Sequence, residues 1–475
     1  MTSEARLSRQ RAADLAAVVA TAALAWGVFT FGAVYPWAYW PLGAAASLLG
    51  ILGWIAGGAS IRRELRLPAL AMAGFVALVC VQLVPLRLAA IAGVSPASID
   101  LLARLEPAVA AGLVDRHPLS IHPTQTLTAG VLFACWSAAA IGTAALFSRT
   151  GSTRLVQQLT VTGALVALVG IVQAPFFTGR IYGFWQPYAP GSSFGPFVNR
   201  NHFAGWMLMA IPVTAGLVFG TVARHSERAP GGVRQRLSWV TGADANRILI
   251  LAGGVVSMAL ALFVSMSRSG ILALIIAAVM LSLVATRRQR SWPRRLATLA
   301  APAVAVGLLV WWVGPGRLET RFSHDSGSAG ARLGAWTDAW SVARAFPLTG
   351  TGLNTYDVAM LFYQRHDLAH LYEQAHNDYL QLAAEGGALL CVPAAIAVLA
   401  AARVARRRFT EPSTARAYWI RLGAACGILA IAIQELFDFS LQMPGNALLF
   451  AVLCGIVLHR APVDTGRTAD WRPRS

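Results

Sequence analysis

Long apolar runs and short polar connections alternate along the whole 475-residue chain. A helix needs roughly 17–25 mostly apolar residues to cross a bilayer, and we find about twelve such runs. They lie near 15–35, 42–58, 67–86, 126–147, 155–176, 203–222, 248–266, 270–286, 296–313, 385–402, 420–437 and 444–459. No small-residue cleavage site follows the first run, so we expect a span there rather than a signal peptide. The pattern predicts an all-α integral membrane protein with a single polytopic domain over residues 1–475.

One polar stretch is much longer than the other connections. Residues 314–384 lie between the ninth and tenth predicted spans and begin with the turn sequence Gly314-Pro315-Gly316. Apolar residues at helical spacing then predict an amphipathic helix, which would pack on the bundle or on the membrane surface. Its predicted apolar stripe consists of Leu333, Trp336, Trp340 and Ala343. We therefore expect one long loop that contains short helices.

Composition and charge support this assignment and add an orientation. Hydrophobic residues make up 56% of the chain and charged residues 13%, which excludes an ordinary soluble protein. The formal net charge is +18, and every basic residue is arginine. The arginine-rich connections are 6–11, 62–66, 149–154, 224–247, 287–295, 403–421 and 460–474. Because they alternate with arginine-poor connections, the positive-inside rule places both termini in the cytoplasm and the 314–384 loop outside. The charge is a topology signal, and no nucleic-acid partner is expected.

Cysteine and histidine spacing gives little support for a disulfide or a metal site. All five cysteines fall inside predicted spans, so no disulfide is expected. In the long loop several residues could bind a metal, but they lack the HExxH spacing of a zinc site. These residues are His366, Asp367, His370, Glu373 and His376. We expect neither a metal nor another cofactor.

Two arginines on the predicted outer side oppose the charge bias. Arg200 precedes a span and is flanked by Asn199, Asn201 and His202, while Arg268 lies in a very short turn between two spans. An arginine at such a place can extend its guanidinium to the membrane surface. Alternatively, the pair can bind a phosphate or pyrophosphate, because guanidinium holds these groups bidentately and does not lose its proton.

Aromatic residues concentrate just before Arg200, in Ile181-Tyr182-Gly183-Phe184-Trp185. They fit the aromatic belt of a membrane interface. Stacking on the faces of sugar rings is the other interpretation that the sequence allows.

Several short sequences, taken in order, resemble the O-antigen ligase and polymerase superfamily. The resemblance covers the chain from about residue 125 onward. The motifs are Phe194–Gly205, Ser267-Arg268-Ser269-Gly270, Pro347–Asn354, Ala375-His376-Asn377-Asp378-Tyr379-Leu380 and Glu385-Gly386-Gly387. The resemblance implies a bacterial inner-membrane glycosyltransferase of the GT-C type. Such enzymes move a glycan from an undecaprenyl-pyrophosphate carrier to an acceptor hydroxyl on the periplasmic side.

The resemblance also implies roles for particular residues. His376 would be the general base that activates the acceptor hydroxyl. Arg200 and Arg268 would hold the departing pyrophosphate without a metal, as fixed positive charge stabilises a developing anion. Supporting or substrate-binding positions would be Asn199, Asn201, His202, Asn377 and Asp378. Asn377 and Asp378 would either fix the imidazole or cap the helix that follows.

Several functions remain compatible with the sequence. A ligase would transfer the glycan to lipid A core or a similar glycolipid, whereas a polymerase would use another carrier-linked glycan as acceptor. A protein O-glycosyltransferase of the same superfamily is a third possibility. A membrane transporter is the alternative from another class, because Gln434, Glu435 and Asp438 could form an ion pathway; hydrogen bonding between helices is the other role open to them. Transporters, however, concentrate polar groups near the membrane midplane, and here such groups gather at the predicted outer face.

Overall fold

The prediction of an all-α architecture is confirmed. A computed structural model describes residues 3–188, 192–226, 243–287 and 326–461, with isolated positions between 292 and 307. Within this part of the chain the helices are α1 (Ser3–Phe29), α2 (Pro36–Ala56), α3 (Ala59–Glu64), α4 (Arg66–Gln82), α5 (Leu88–Val94), α6 (Pro96–Leu105), α7 (Pro107–Ala110), α8 (Pro123–Thr150), α9 (Thr153–Gln173), α10 (Arg200–Ser226), α11 (Ala243–Val264), α12 (Arg268–Thr286), α13 (Ser326–Ala345), α14 (Tyr356–Tyr363), α15 (Asp378–Thr410), α16 (Ala415–Gln434) and α17 (Pro444–Leu458). Two short strands, β1 (Leu86–Arg87) and β2 (Arg116–His117), pair antiparallel.

The predicted spans correspond to long apolar helices. Among the described residues, nine helices are long and apolar enough to cross a membrane. The shorter apolar helices α4 and α17 match two further predicted spans. The predicted span near 296–313 lies largely outside the described residues, so the total of about twelve stays a prediction.

Helix α10 forms the centre of the bundle and packs closely against α16. A side chain at Gly423 would overlap the backbone of Pro212, and one at Gly216 would overlap the backbone of Trp419. Small residues at such crossings let two helix backbones approach closely in lipid. The large side chain of Trp206 is also fully buried on α10. This close contact fixes the start of α10 relative to the end of α16.

The bundle has two ends that differ in chemistry. At one end, which we call the upper end, α10, α12, α15 and α17 begin and α16 ends. At the lower end, Arg408 bonds Glu411 at 2.8 Å, and Arg421 donates to the backbone carbonyls of Arg408 and His459. Arg62 on α3 and Arg149 in the last turn of α8 also lie at the lower end, where Arg408 pairs with Glu64 of α3 and the Arg460 amide donates to Ser148 of α8. The arginine clusters named here therefore share one end, as the predicted topology requires.

Residues between β1 and β2, together with α13 and α14, form a cap over the upper end with its own apolar core. This core includes Leu102, Val342, Phe346, Tyr356 and Met360. The predicted stripe of α13 differs from the observed one. Leu333 and Trp340 are exposed, Ala343 is buried as predicted, and the other buried apolar residues are Ala335, Ala339 and Val342. Small alanine side chains allow α13 to pack closely, which the larger apolar residues would prevent.

Helix α15 begins earlier than the predicted span and is broken near its start. Its first turn is capped by Asn377, whose side chain accepts a hydrogen bond from the Leu380 amide at 3.1 Å. At Gly387 the backbone has φ 52° and interrupts the helix. A side chain at Gly350 would overlap the backbone of Glu385, so the Thr349–Asn354 turn packs directly on this break. The turn therefore fixes the short piece of α15 that follows His376.

The aromatic residues before Arg200 belong to a packed cluster at the upper end. Trp185 stacks on Phe31 with ring centroids 4.6 Å apart, and its ring nitrogen donates to the Tyr35 hydroxyl at 3.1 Å. The Tyr182 hydroxyl donates to the Phe29 carbonyl at 2.8 Å. These contacts join the segment before α10 to the connection between α1 and α2.

Candidate functional site

His376 lies at the upper end of the bundle, two residues before α15. Its backbone φ is 50°, in the left-handed region that non-glycine residues adopt uncommonly. The ring packs edge-to-face against Phe439, with centroids 5.0 Å apart, and more distantly against Tyr372 at 6.5 Å. Its Nδ1 atom is buried and has no hydrogen-bond partner among the described residues. Burial, and secondly the positive charge of Arg332, lower the pKa of His376 to about 4.

Asn377 and Asp378 do not bond the imidazole. Asn377 caps α15, which was one of its two expected roles. Asp378 ties α15 to the segment between α16 and α17: its amide donates to the Glu435 carbonyl at 3.0 Å, and its carboxylate accepts from Gln442 at 2.6 Å. These two residues thus hold the start of α15 and tie it to the segment between α16 and α17.

Glu435 and Asp438 accept hydrogen bonds from backbone amides of the segment between α16 and α17 to which they belong. Glu435 accepts a hydrogen bond from the Leu441 amide at 3.1 Å, and Asp438 accepts one from the Phe439 amide at 3.0 Å. Both carboxyl groups are almost completely buried. Burial raises the pKa of Asp438 to about 6, although hydrogen bonds from Phe439 and Asn201 oppose this. Burial and the nearby Asp378 raise the pKa of Glu435 as well.

Asn201 connects this segment to the turn that carries Arg268. Its side-chain oxygen accepts from the Ser267 hydroxyl at 2.9 Å. Its backbone carbonyl accepts from the Gln434 side chain at 3.0 Å and from the Ser440 hydroxyl at 3.3 Å. Three separate parts of the chain, namely the starts of α10 and α12 and the segment after α16, therefore meet at Asn201.

Arg200 and Arg268 are the first residues of α10 and α12. The Asn199 side chain accepts from the Asn201 amide at 2.8 Å and so shapes the start of α10. Arg200 lines a cavity of about 360 Å³ whose other walls include Phe177, Phe194, Val264 and the Ser265-Met266 turn. That turn leads through Ser267 to Arg268, so both arginines are the first residues of helices, where the N-terminus adds partial positive charge.

His202 lies inside the bundle rather than at its surface. Its side chain is buried, and neither ring nitrogen has a partner among the described residues. The ring packs edge-to-face on Phe439 with centroids 4.8 Å apart. The His202 carbonyl accepts from the Asn446 side chain at 2.9 Å. Phe439 therefore stands between the rings of His202 and His376.

The other loop histidines make local contacts. His366 bonds the buried Asp338 at 2.8 Å, and His370 bonds Asp367 at 3.2 Å. Within the part of the chain that the structure describes, no three His, Cys, Asp or Glu side chains are grouped so that they could hold a metal ion. The five cysteines are free thiols.

Sequence reasoning did not assign Phe439 or Arg332 to the site, and it left the roles of Glu435 and Asp438 open. The available signal was the group of polar residues at the end of a predicted span. An aromatic residue beside that group carries no chemistry by itself, so only the fold reveals its contact with His376.

Comparison with known proteins agrees with the resemblance. A family model described as O-antigen ligase matches residues 253–395. The match includes the motifs around Arg268, Thr349–Asn354 and His376, whereas the motif around Arg200 lies before it. This confirms the resemblance to the O-antigen ligase superfamily and supports an O-antigen ligase- or polymerase-type membrane enzyme. No curated protein matches the chain.

Proposed function

We propose that this protein is an O-antigen ligase-like glycosyltransferase of the bacterial inner membrane. It moves a polysaccharide from undecaprenyl pyrophosphate to an acceptor hydroxyl, on lipid A core or a similar glycolipid, at the periplasmic face. The observation that carries the proposal is the meeting of separate motifs at the upper end. Asn201 bonds the turn before Arg268 and the segment that packs on His376 through Phe439.

The donor side of the site is built from Arg200, Arg268 and the adjoining cavity. The pyrophosphate binds the two guanidinium groups, and the apolar walls formed by Phe177, Phe194 and Val264 contact the first isoprene units. As the bond between sugar and phosphate breaks, the pyrophosphate leaves with the electron pair. Fixed arginine charge stabilises this anion, so the proposed mechanism needs no metal.

The acceptor side is built around His376. Its low pKa keeps the imidazole neutral near neutral pH, the form that can accept a proton. The acceptor hydroxyl gives its proton to the imidazole while its oxygen attacks the anomeric carbon. Attack opposite the leaving pyrophosphate inverts the anomeric centre in one displacement.

A polymerase would share this donor chemistry and differ only in its acceptor, which would be a second carrier-linked glycan. Deletion of the gene, followed by analysis of the cell's glycolipids, distinguishes the two. The proposed ligase predicts accumulation of long carrier-linked polymer that is not attached to lipid A core. Accumulation of single repeat units would instead identify a polymerase, and unchanged glycolipids would contradict both.

A further inference from the structure

Within the described part of the chain, the buried Nδ1 of His376 has no hydrogen-bonding carboxylate or carbonyl to orient its ring. In catalytic histidine sites one ring nitrogen commonly bonds a carboxylate or a carbonyl, which fixes the direction of the other nitrogen. Here Nδ1 is buried and unpartnered among the described residues. The nearest carboxylate along the chain, Asp378, bonds Gln442 instead. Among the described residues, the contacts of the His376 ring are with aromatic rings, Phe439 at 5.0 Å and Tyr372 at 6.5 Å.

Phe439 is the side chain best placed to hold the His376 ring. The centroid of its ring lies 5.0 Å from that of His376, with 73° between the ring planes, and 4.8 Å from that of His202, with 74° between the planes. Phe439 therefore packs edge-to-face against a histidine ring on each of two sides. Aromatic pairs prefer this geometry, which makes the relative ring orientation specific rather than loose. His202 is buried in the bundle and provides a fixed support.

The backbone around Phe439 is fixed by the buried carboxyl groups. Asp438 accepts from the Phe439 amide, Glu435 accepts from the Leu441 amide, and Asp378 accepts from Gln442. The bond to Asp438 is local to the segment, the bond to Glu435 reaches back to the residue after α16, and the bond to Asp378 reaches the start of α15. The segment carrying Phe439 is thus tied to the helix that begins beside His376.

We propose that Phe439 is the positioning residue of His376: its ring sets the imidazole direction that a hydrogen-bonded carboxylate sets in other catalytic sites. This inference rests on the proposed function for its effect on turnover, but the packing it describes does not. Acid residues 435 and 438 then act indirectly, by holding the Phe439 backbone.

The test replaces Phe439 by leucine, which keeps apolar bulk but removes the ring. Small displacements of a catalytic group can cost about 10²-fold in rate. In the purified full-length protein we expect Phe439→Leu to lower kcat for a carrier-linked glycan donor by about that factor, with the donor KM within about twofold. Phe437→Leu is the matched control, because Phe437 packs on Trp336 at 6.0 Å and not on His376. It should retain wild-type kcat.

A double mutant separates positioning from general packing. If Phe439 acts through His376, adding Phe439→Leu to His376→Ala should cause no further loss of activity, because residues that act as a unit are not additive. An equal fold-loss from Phe439→Leu in both backgrounds would overturn the proposal. So would wild-type kcat in Phe439→Leu, or an equal loss in Phe437→Leu.

A measurement without substrate distinguishes this inference from the proposed function. In protein labelled with ¹³C-histidine, the imidazole carbon resonance of His376 is identified by its loss in His376→Ala. This resonance should shift in Phe439→Leu and remain in place in Phe437→Leu. An unchanged resonance in Phe439→Leu would refute the positioning role whatever the activity. A shifted resonance in a protein that transfers no carrier-linked glycan would support the positioning and contradict the proposed function.

Discussion

The acid side of the pH–rate profile is the most direct consequence of the site. With a pKa of about 4, the His376 imidazole is about 99% neutral at pH 6, whereas a histidine with the usual value of 6.5 would be about 24% neutral. Protonation removes the base, so activity is lost as the pH falls through the pKa. We therefore expect kcat/KM to stay level from neutral pH down to about pH 5 and to fall below that, since kcat/KM reports the free enzyme.

Arg332→Gln changes this profile in a known direction. The positive charge of Arg332 disfavours the imidazolium, so removing this charge raises the pKa of His376. The fall of kcat/KM at low pH, which we call the acid limb, then moves to higher pH. The limb should remain below 6.5, because burial is the larger cause and persists in the variant. Arg344→Gln is the control: Arg344 lies on the same helix, is exposed, and should leave the limb unchanged.

The assay follows transfer of a labelled glycan from undecaprenyl pyrophosphate by the purified protein between pH 4 and 8. Samples held at each pH and then returned to pH 7 show whether loss of activity is reversible. His376→Ala should reduce kcat by about 10²–10⁴-fold, the usual contribution of a general base, and should abolish the acid limb. A wild-type loss of activity centred near pH 6.5, an unchanged profile in Arg332→Gln, or near-normal turnover by His376→Ala would each contradict the role of a neutral His376 as the base.

Three further predictions concern donor binding, stability and orientation. Arg200→Lys and Arg268→Lys retain the positive charge but lose the planar bidentate group, so each should strongly raise the donor KM or lower kcat while the protein still reaches the membrane. Near-normal transfer by either variant would mean that the arginine only contacts the membrane surface. Gly350→Ala places a side chain on the α15 backbone at a φ of 63° and should destabilise the protein by more than about 1 kcal/mol, seen as a lower melting temperature. Leu368 is exposed in the loop before His376, so Leu368→Cys should react with a membrane-impermeant thiol reagent from the periplasm. Arg407→Cys, at the lower end, should not react. The opposite labelling would exclude a periplasmic active site.

Much of the fold followed from the sequence because lipid imposes a simple requirement. A spanning helix satisfies its own backbone hydrogen bonds, so apolar length alone locates it. The cap at Asn377 was one of its two expected roles, but the expected span began only at 385, seven residues after Asp378, the first residue of α15. The break at Gly387 was also not predicted, since it depends on a turn packed from elsewhere in the chain.

The candidate site was only partly predictable for a related reason. His376 and Arg268 lie in recognisable motifs, and Arg200 stands out by its charge. The contact between His376 and Phe439 joins residues 63 positions apart in sequence and depends on how α15 meets the end of α16. Phenylalanine is common in apolar runs, so its role appears only once those two helices are placed together.

The buried acid residues also bear on whether the protein is an enzyme or a transporter. A coupling-ion pathway would require carboxylates near the membrane midplane, typically beside interrupted helices. Glu435 and Asp438 instead follow the last residue of α16, and each accepts a hydrogen bond from a backbone amide of the segment that leads to α17. Carboxylates engaged in this way shape a fixed surface next to His376. The same residues that first supported a transporter therefore fit better as the support of a catalytic site, which is the arrangement that the Phe439 variants test.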